Sequence, residues 1–305
     1  MTLNDLQTLT QRVCTIAIEC GGFLREEQRN FSRDCVEEKG LGNYVSYVDK
    51  EAEQRLVTAL HEVLPDAGFI AEERGWQEAS TSPYTWIIDP LDGTTNYVHG
   101  MSPYAISIGL ANVTEMLIGV VYEVGNDELF YACKNGGAWW NHGANREEGN
   151  KFIDPTPFTQ ATQPDSPTSL MVALNEYGDY PIQVSTVADP ASAFVGMGLP
   201  YNAAQYNAVA TELLHQLYGS VGGVRILGSA AAELCYLAAG RMDGRIENSL
   251  GPWDIAAGSV ILREAGGRIT DYSGRNLFYN AEEVVASNGP MHDYLLSLIA
   301  RSLAK

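Results

Sequence analysis

The sequence predicts an α/β (α+β) protein built of layered helices and sheets, and three observations carry that prediction. Short β-rich runs separated by tight turns fill 104–140, which is the pattern of an antiparallel meander. Helix-like and strand-like segments alternate from 202 to 303, as expected where helices cover a sheet. An amphipathic helical segment stands ahead of both.

The elements follow in chain order. Residues 3–29 carry Leu6, Leu9, Val13, Ile16, Ala17, Cys20, Phe23 and Leu24 at helical spacing, so a long first helix has one apolar face. The stretch 44–49 is β-rich, and Asp49 then opens a second helix over 50–63, closed by Leu64-Pro65. Gly68 to Ala71 reads as a strand that delivers Glu72 and Glu73 at its end. Trp86-Ile87-Ile88 reads as a buried strand, ended by Asp89-Pro90 because proline cannot donate to a central ladder. In the meander, 124–127 and 134–137 are the clearest turns. Residues 141–167 are polar and hold Pro155, Pro157, Pro164 and Pro167, the composition of a long surface loop or linker. Beyond it, strands are expected at 169–174, 221–226, 243–247, 268–271 and 284–286. Helices are expected at 202–218, 229–239, 252–265 and 290–303, with Pro252 in a first turn and Gly266-Gly267 as a stop. The chain divides into an N-terminal half, 1–145, with the antiparallel sheet, and a C-terminal half, 146–305.

Composition bounds the function. At 305 residues, with 45% hydrophobic and 10% aromatic content, the chain can bury a sizeable core. No apolar run approaches membrane-spanning length, and the first residues lack a signal pattern. The five cysteines are scattered without ligand-like spacing, which suits reduced thiols in a cytoplasm. The formal net charge of −19 provides no basic face, so direct nucleic-acid binding is not expected. Most of that charge suits a solubilising surface. Were the substrate anionic, bound divalent cations would reverse the local sign at the site.

The chemistry concentrates in Asp89-Pro90-Leu91-Asp92-Gly93-Thr94-Thr95-Asn96. Two carboxylates three residues apart at a strand end are costly unless a cation neutralises them, and hard oxygen ligands suit Mg²⁺ or Mn²⁺. Backbone N–H groups at a Gly-Thr helix start suit a phosphate. A plain strand-to-turn transition with an Asp cap would use the same residue types. Acids also stand at Glu72-Glu73, at Glu247, and at Asp254 in Trp253-Asp254-Ile255-Ala256-Ala257-Gly258, where a helix-start acid is the simpler reading of Asp254 taken alone. The five histidines are scattered, which disfavours a zinc site.

Ala71-Glu72-Glu73, Asp89 to Thr94, and Trp253 to Gly258 together resemble, in this order, the signature of the inositol monophosphatase family. Gly228-Ser229-Ala230-Ala231 and Arg263-Glu264-Ala265-Gly266-Gly267 add to the resemblance, which covers roughly 3–140 and 200–305. It implies the layered αβαβα sandwich of the inositol monophosphatase and fructose-1,6-bisphosphatase type, with the two halves forming one catalytic unit. It also implies a Mg²⁺-dependent phosphomonoesterase that uses water directly, with two or three Mg²⁺ ions and Mn²⁺ as a substitute. By position, Glu72, Asp89 and the Leu91 carbonyl match ligands of a first metal, and Asp89, Asp92 and Asp254 match ligands of a second. Glu72 and the Thr94 hydroxyl would orient and deprotonate the attacking water. Asp92 and the Gly93 and Thr94 amides would hold the phosphate end, and Ser229, Ala230 and Glu247 the alcohol half. Glu73 is expected to stand back from the metals, and Asp49 is read as an ordinary cap.

The implied substrate is inositol monophosphate or a similar polyol or sugar phosphate, since Thr95-Asn96 resembles the inositol branch. Fructose bisphosphate, NADP phosphate and 3′-phosphoadenosine nucleotides are the alternatives within the superfamily. Residues 141–198 are longer and richer in Pro and Gly than the family pattern, which leaves substrate identity more open than chemistry. Lithium inhibition and a homodimer are further implications of the resemblance. A different class of function is a regulatory member that binds a protein partner. The intact set Glu72, Asp89, Asp92, Thr94 and Asp254 argues that catalysis is retained.

Overall fold

The computed structural model describes residues 1–30, 36–40, 43–73, 75–77, 82–143, 179–199, 203–279 and 282–304. Most of the expected 141–167 loop and the expected strand at 169–174 lie outside the described residues. Helix α1 (Leu3–Arg29) is closed at its start by a capping box, in which Thr2 and Asp5 exchange side-chain and backbone hydrogen bonds. A ribbon of β1 (Val36–Gly40) and β2 (Asn43–Ser46) leads into α2 (Tyr47–Val63). Here Ser46 is the cap, and Asp49 sits inside the first turn with its carboxylate accepting from the Ser46 N–H. The helix thus starts three residues earlier than the sequence reading placed it.

There follow β3 (Gly68–Ala71), β4 (Gly75–Gln77), β5 (Thr85–Asp92), the short α3 (Thr94–Val98), β6 (Ala105–Ala111), β7 (Met116–Glu123), β8 (Glu128–Cys133), β9 (Ala138–His142) and β10 (Tyr180–Pro181). They form one eight-stranded sheet in the order β10-β9-β8-β7-β6-β5-β3-β4, antiparallel except where β3 runs parallel to β5. The remaining elements are β11 (Phe194–Met197), α4 (Ala203–Leu217), β12 (Gly223–Arg225), α5 (Ala230–Ala238), β13 (Gly244–Asn248), α6 (Pro252–Glu264), β14 (Arg268–Thr270), β15 (Glu283–Ser287) and α7 (His292–Leu303). The second sheet has the order β12-β11-β13-β15-β14, with β11 parallel to both its neighbours.

Three apolar clusters make the layers. Leu9, Val13, Leu24 and Leu56 of α1 and α2 pack on Ile88, Ile108, Val120 and Tyr122 of the large sheet. On its other face Ile87, Val121 and Phe130 meet Leu234, Ala257 and Ile261 of α5 and α6, which also cover Val284 and Ala286 of the second sheet. The far side of that sheet, with Val195, Ile246 and Val285, is closed by Leu213, Leu217, Leu295 and Leu298 of α4 and α7. Period-two alternation along β15 explains why Val284 and Val285 lie in different clusters. The result is the expected five-layer αβαβα order.

Two local expectations fail. Pro90 does not end its strand: β5 pairs with β6 from Thr85 to Asp92, and three steps from Asp89 to Asp92 face two from Ser107 to Ala105. Pro90 occupies this bulge, where no ladder hydrogen bond is needed. The second failure is β11, which sequence patterning did not find because Phe194-Val195-Gly196-Met197 is short, contains glycine and follows a Pro-rich stretch.

Candidate active site

The bulge that keeps Pro90 in the strand also sets the carboxylates. Asp89 remains in the ladder and is buried, with its Oδ1 accepting from the Leu91 N–H at 2.9 Å. Asp92 ends the strand, and Gly93 follows at φ 89°, a left-handed conformation that favours glycine. A Cβ there would also stand 2.9 Å from the Pro103 carbonyl oxygen. Asp254 arrives from α6, in whose first turn its Oδ2 accepts from the Gly251 N–H at 2.6 Å. Ser107, the register partner of Asp89, donates its hydroxyl to the Trp253 carbonyl at 3.0 Å, pinning the start of α6 beside β5. The helix can lie this close because Gly119 has no side chain; a Cβ there would stand 2.2 Å from the Ala257 oxygen.

These constraints bring carboxylate oxygens of Asp89, Asp92 and Asp254 within 4.8 Å of one another. Burial, followed by the negative charges of Glu72, Asp92 and Asp254, drives the Asp89 carboxyl far above its ordinary range. Asp254 is likewise driven up by burial and then by Asp92 and Glu72. Asp92 is raised less, because Ser229 Oγ at 2.6 Å and the Ala231 N–H at 2.7 Å both donate to its Oδ2, and the Arg245 charge and the Ala230 N–H help. Among the described residues no ion pair reaches any of the three. Close carboxylates, Asp89 and Asp92 buried and Asp254 half-buried, with a mutual electrostatic penalty form a donor set that a hard divalent cation fits. Glu72, half-buried just beyond β3, adds its charge to the same point.

Thr94 starts α3 with its Oγ1 3.2 Å from Asp49 Oδ1 and 3.0 Å from the Leu91 carbonyl oxygen. The other oxygen of Asp49 accepts from the Ser46 N–H and hydroxyl, so this buried acid is anchored on one side and faces Thr94 on the other. Sequence reading gave Asp49 only a capping role. Its position three after Ser46 signals a capping box, and the approach of Thr94 from 45 residues away is tertiary. The Glu73 backbone N–H donates to Glu53.

The residues expected on the alcohol side divide. Ser229 is buried, and its hydroxyl serves Asp92 and caps α5. Ala230 opens the same helix. Glu247 lies outside the carboxylate trio and pairs with the buried Arg245, which also lies 3.4 Å from Glu233 Oε2. Nothing local in the sequence announced Arg245 and Glu233.

The inositol monophosphatase family model matches residues 5–304. An inositol-1-monophosphatase of Mesorhizobium japonicum is 34% identical, covering 90% of this chain and 92% of that one. A protein of Vibrio cholerae named Nus factor SuhB is 31% identical, covering 89% of this chain and 88% of its own. Among solved structures, the inositol monophosphatase of Thermotoga maritima superposes with a TM-score of 0.76 at 27% identity, over 95% of this chain and 96% of that one. Fold, ordered motifs and whole-length similarity agree: the chain belongs to the inositol monophosphatase family, whose members are metal-dependent, and is a phosphoric monoester hydrolase.

Proposed function

We propose that this protein hydrolyses inositol monophosphate, or a similar polyol or sugar phosphate, with Mg²⁺ held by Asp89, Asp92, Asp254, Glu72 and the Leu91 carbonyl. The observation that carries the reading is the gathering of three carboxylates within 4.8 Å in a buried setting. Bound divalent cations supply charge neutralisation at phosphorus and acidify water. The chain's own residues do the remaining work. The Thr94 hydroxyl donates its hydrogen bond to Asp49, which leaves its oxygen lone pairs to accept one from the incoming water. Glu72 offers a second acceptor to the same water. The Gly93 and Thr94 amides hold the phosphate, in a turn where a side chain at Gly93 would meet backbone. Ser229 and the Ala230 and Ala231 amides fix Asp92, and Glu247 faces the polyol.

The test is phosphate release from inositol 1-phosphate, fructose 1,6-bisphosphate, NADP⁺ and 3′-phosphoadenosine 5′-phosphate, with Mg²⁺, with EDTA, and in Asp89→Asn. Mg²⁺-dependent release, greatest on inositol 1-phosphate and lost in the variant, is the expected result. Release from none of them by folded, Mg²⁺-supplied protein sinks the assignment. A homodimer is part of this reading and is checked by sedimentation.

The relative named Nus factor SuhB supports a second reading, an added role in binding a protein of the transcription machinery. Association with RNA polymerase that survives Asp89→Asn would favour it, because binding need not use the metal ligands.

A further inference from the structure

We propose that Arg245 is a positioning residue for substrate selection, buried behind Glu247 and holding that carboxylate against the alcohol half of the substrate. The proposal rests on the reading above, in which Glu247 faces the polyol.

Arg245 and Glu247 stand two apart on β13 and so share one face of the strand, whereas Ile246 between them joins the α4 and α7 cluster. The Arg245 side chain is 1% exposed and cannot meet a ligand arriving from solvent, while Glu247 at 14% is the open end of the group. Arg245 Nη2 pairs with Glu247 Oε2, and its Nε lies 3.4 Å from Glu233 Oε2 on α5. The guanidinium is thus clamped between an acid from the helix and an acid from its own strand. Its Nη1 and Nε, like Glu233 Oε2, are buried without a hydrogen-bond partner among the described residues, so Glu233 holds the guanidinium by charge and Glu247 by a hydrogen bond.

The missed strand β11 and its next residue leave room for this group. A Cβ at Gly196 would stand 2.7 Å from Glu233 Oε2 and 3.5 Å from Arg245 Cγ. A Cβ at Gly198 would stand 1.9 Å from Glu247 Cδ. Three elements, α5, β11 and β13, therefore cooperate to seat one buried cation behind one partly open carboxylate. The planar guanidinium fixes the direction of the carboxylate it grips more strictly than an ammonium does. With one Glu247 oxygen taken by Arg245, the other is left to accept from a substrate hydroxyl in a fixed orientation.

A buried ion pair can instead serve stability alone, so the test reads selectivity. Steady-state kinetics compare inositol 1-phosphate with p-nitrophenyl phosphate, whose alcohol half has no free hydroxyl. Arg245 also bears electrostatically on Asp92, so any general effect falls on both substrates and cancels in the ratio of their kcat/KM values. Arg245→Met is expected to lower the preference for inositol 1-phosphate about tenfold, mainly through KM, the size of a lost hydrogen bond to a charged group. Arg245→Lys should recover part of it. Glu247→Gln should lower it similarly, with the double variant no worse, because Arg245 acts through Glu247.

An unchanged ratio in Arg245→Met, with Glu247→Gln altered, overturns the proposal. A crystal structure of Arg245→Met, or of Arg245→Lys should the first not fold, is read beside the kinetics. Glu247 displaced from its present place is expected, and Glu247 unmoved overturns the proposal whatever the protein hydrolyses. Wild-type protein that releases phosphate from p-nitrophenyl phosphate but from no polyol phosphate refutes the substrate reading instead.

Discussion

Two acidic clusters meet at the first turns of α5, and they are neutralised in opposite ways. Asp89, Asp92 and Asp254 bring carboxylate oxygens within 4.8 Å and have no ion-pair partner among the described residues. Glu233 and Glu247 are as deeply placed, yet they close on Arg245. A cluster that lacks its own cation must draw one from solution, and that cation can do chemistry at an open site. A cluster that carries its cation is complete on folding, so its carboxylates are fixed in place. On the proposed function, the first cluster carries reactivity and the second geometry.

The largest expected effect breaks the first cluster. Asp89→Asn should lower phosphate release by about a thousandfold or more, as expected for loss of charge stabilisation at a transferred group. Without metal, the same variant should be at least as stable as the wild type, because one of three repelling carboxylates is gone. Mg²⁺ should raise the wild-type thermal midpoint by ligand linkage and raise the variant's much less. Thermal melts with Mg²⁺ and with EDTA check this. A wild type indifferent to Mg²⁺ would remove the contrast between the clusters.

Breaking the second cluster should act on stability. Arg245→Met leaves the buried Glu233 and the partly open Glu247 without their cation, and losing one partner of a buried pair costs about 3–5 kcal/mol. Urea unfolding measures it. If Arg245→Met proves no less stable than the wild type, the second cluster is not neutralised by its own arginine in the way the distances imply. A smaller loss, about 1–3 kcal/mol, is expected for Gly198→Ala, whose new methyl would collide with Glu247.

The two clusters also differ in how far the sequence disclosed them. The first was legible because Asp89 and Asp92 stand in one short string with strong local chemistry, and because the resemblance added Asp254, which alone reads as a helix-start acid. The long helices and the meander were legible because each rests on a repeating local pattern, whereas the five-layer order came from the resemblance to the family. Pro90 misled, because a bulge is a property of the paired strand and not of the residue alone. Asp49 misled because its local task, capping α2 with Ser46, is genuine and hides the contact with Thr94. The second cluster was illegible apart from Glu247. Arg245 is paired across the sheet–helix interface with Glu233, and the space they occupy comes from Gly196 of a strand with too little β character to be found.

The smallest effect is a pH dependence that separates the clusters within one molecule. Burial, then the charges of Glu247 and Asp92, raise Glu233 to about 7 against the pull of Arg245, as expected when one guanidinium serves two acids. A carboxyl raised above its ordinary 4.5 keeps a proton that the unfolded chain has released, so it favours the folded state below that value. That contribution is lost as pH rises from 4.5 to about 7. Asp89 and Asp254, also raised by burial and by their acidic neighbours, give a loss of the same sign when metal is absent. Saturating Mg²⁺ should abolish the Asp contribution, because the cation binds the ionised carboxylates, and leave that of Glu233. Glu233→Gln should do the converse. Stability measured against pH in four conditions, wild type and Glu233→Gln with and without Mg²⁺, resolves the two slopes. A single slope that Mg²⁺ removes entirely would mean that Glu233 is already ionised in the folded protein and that Arg245 neutralises both of its acids.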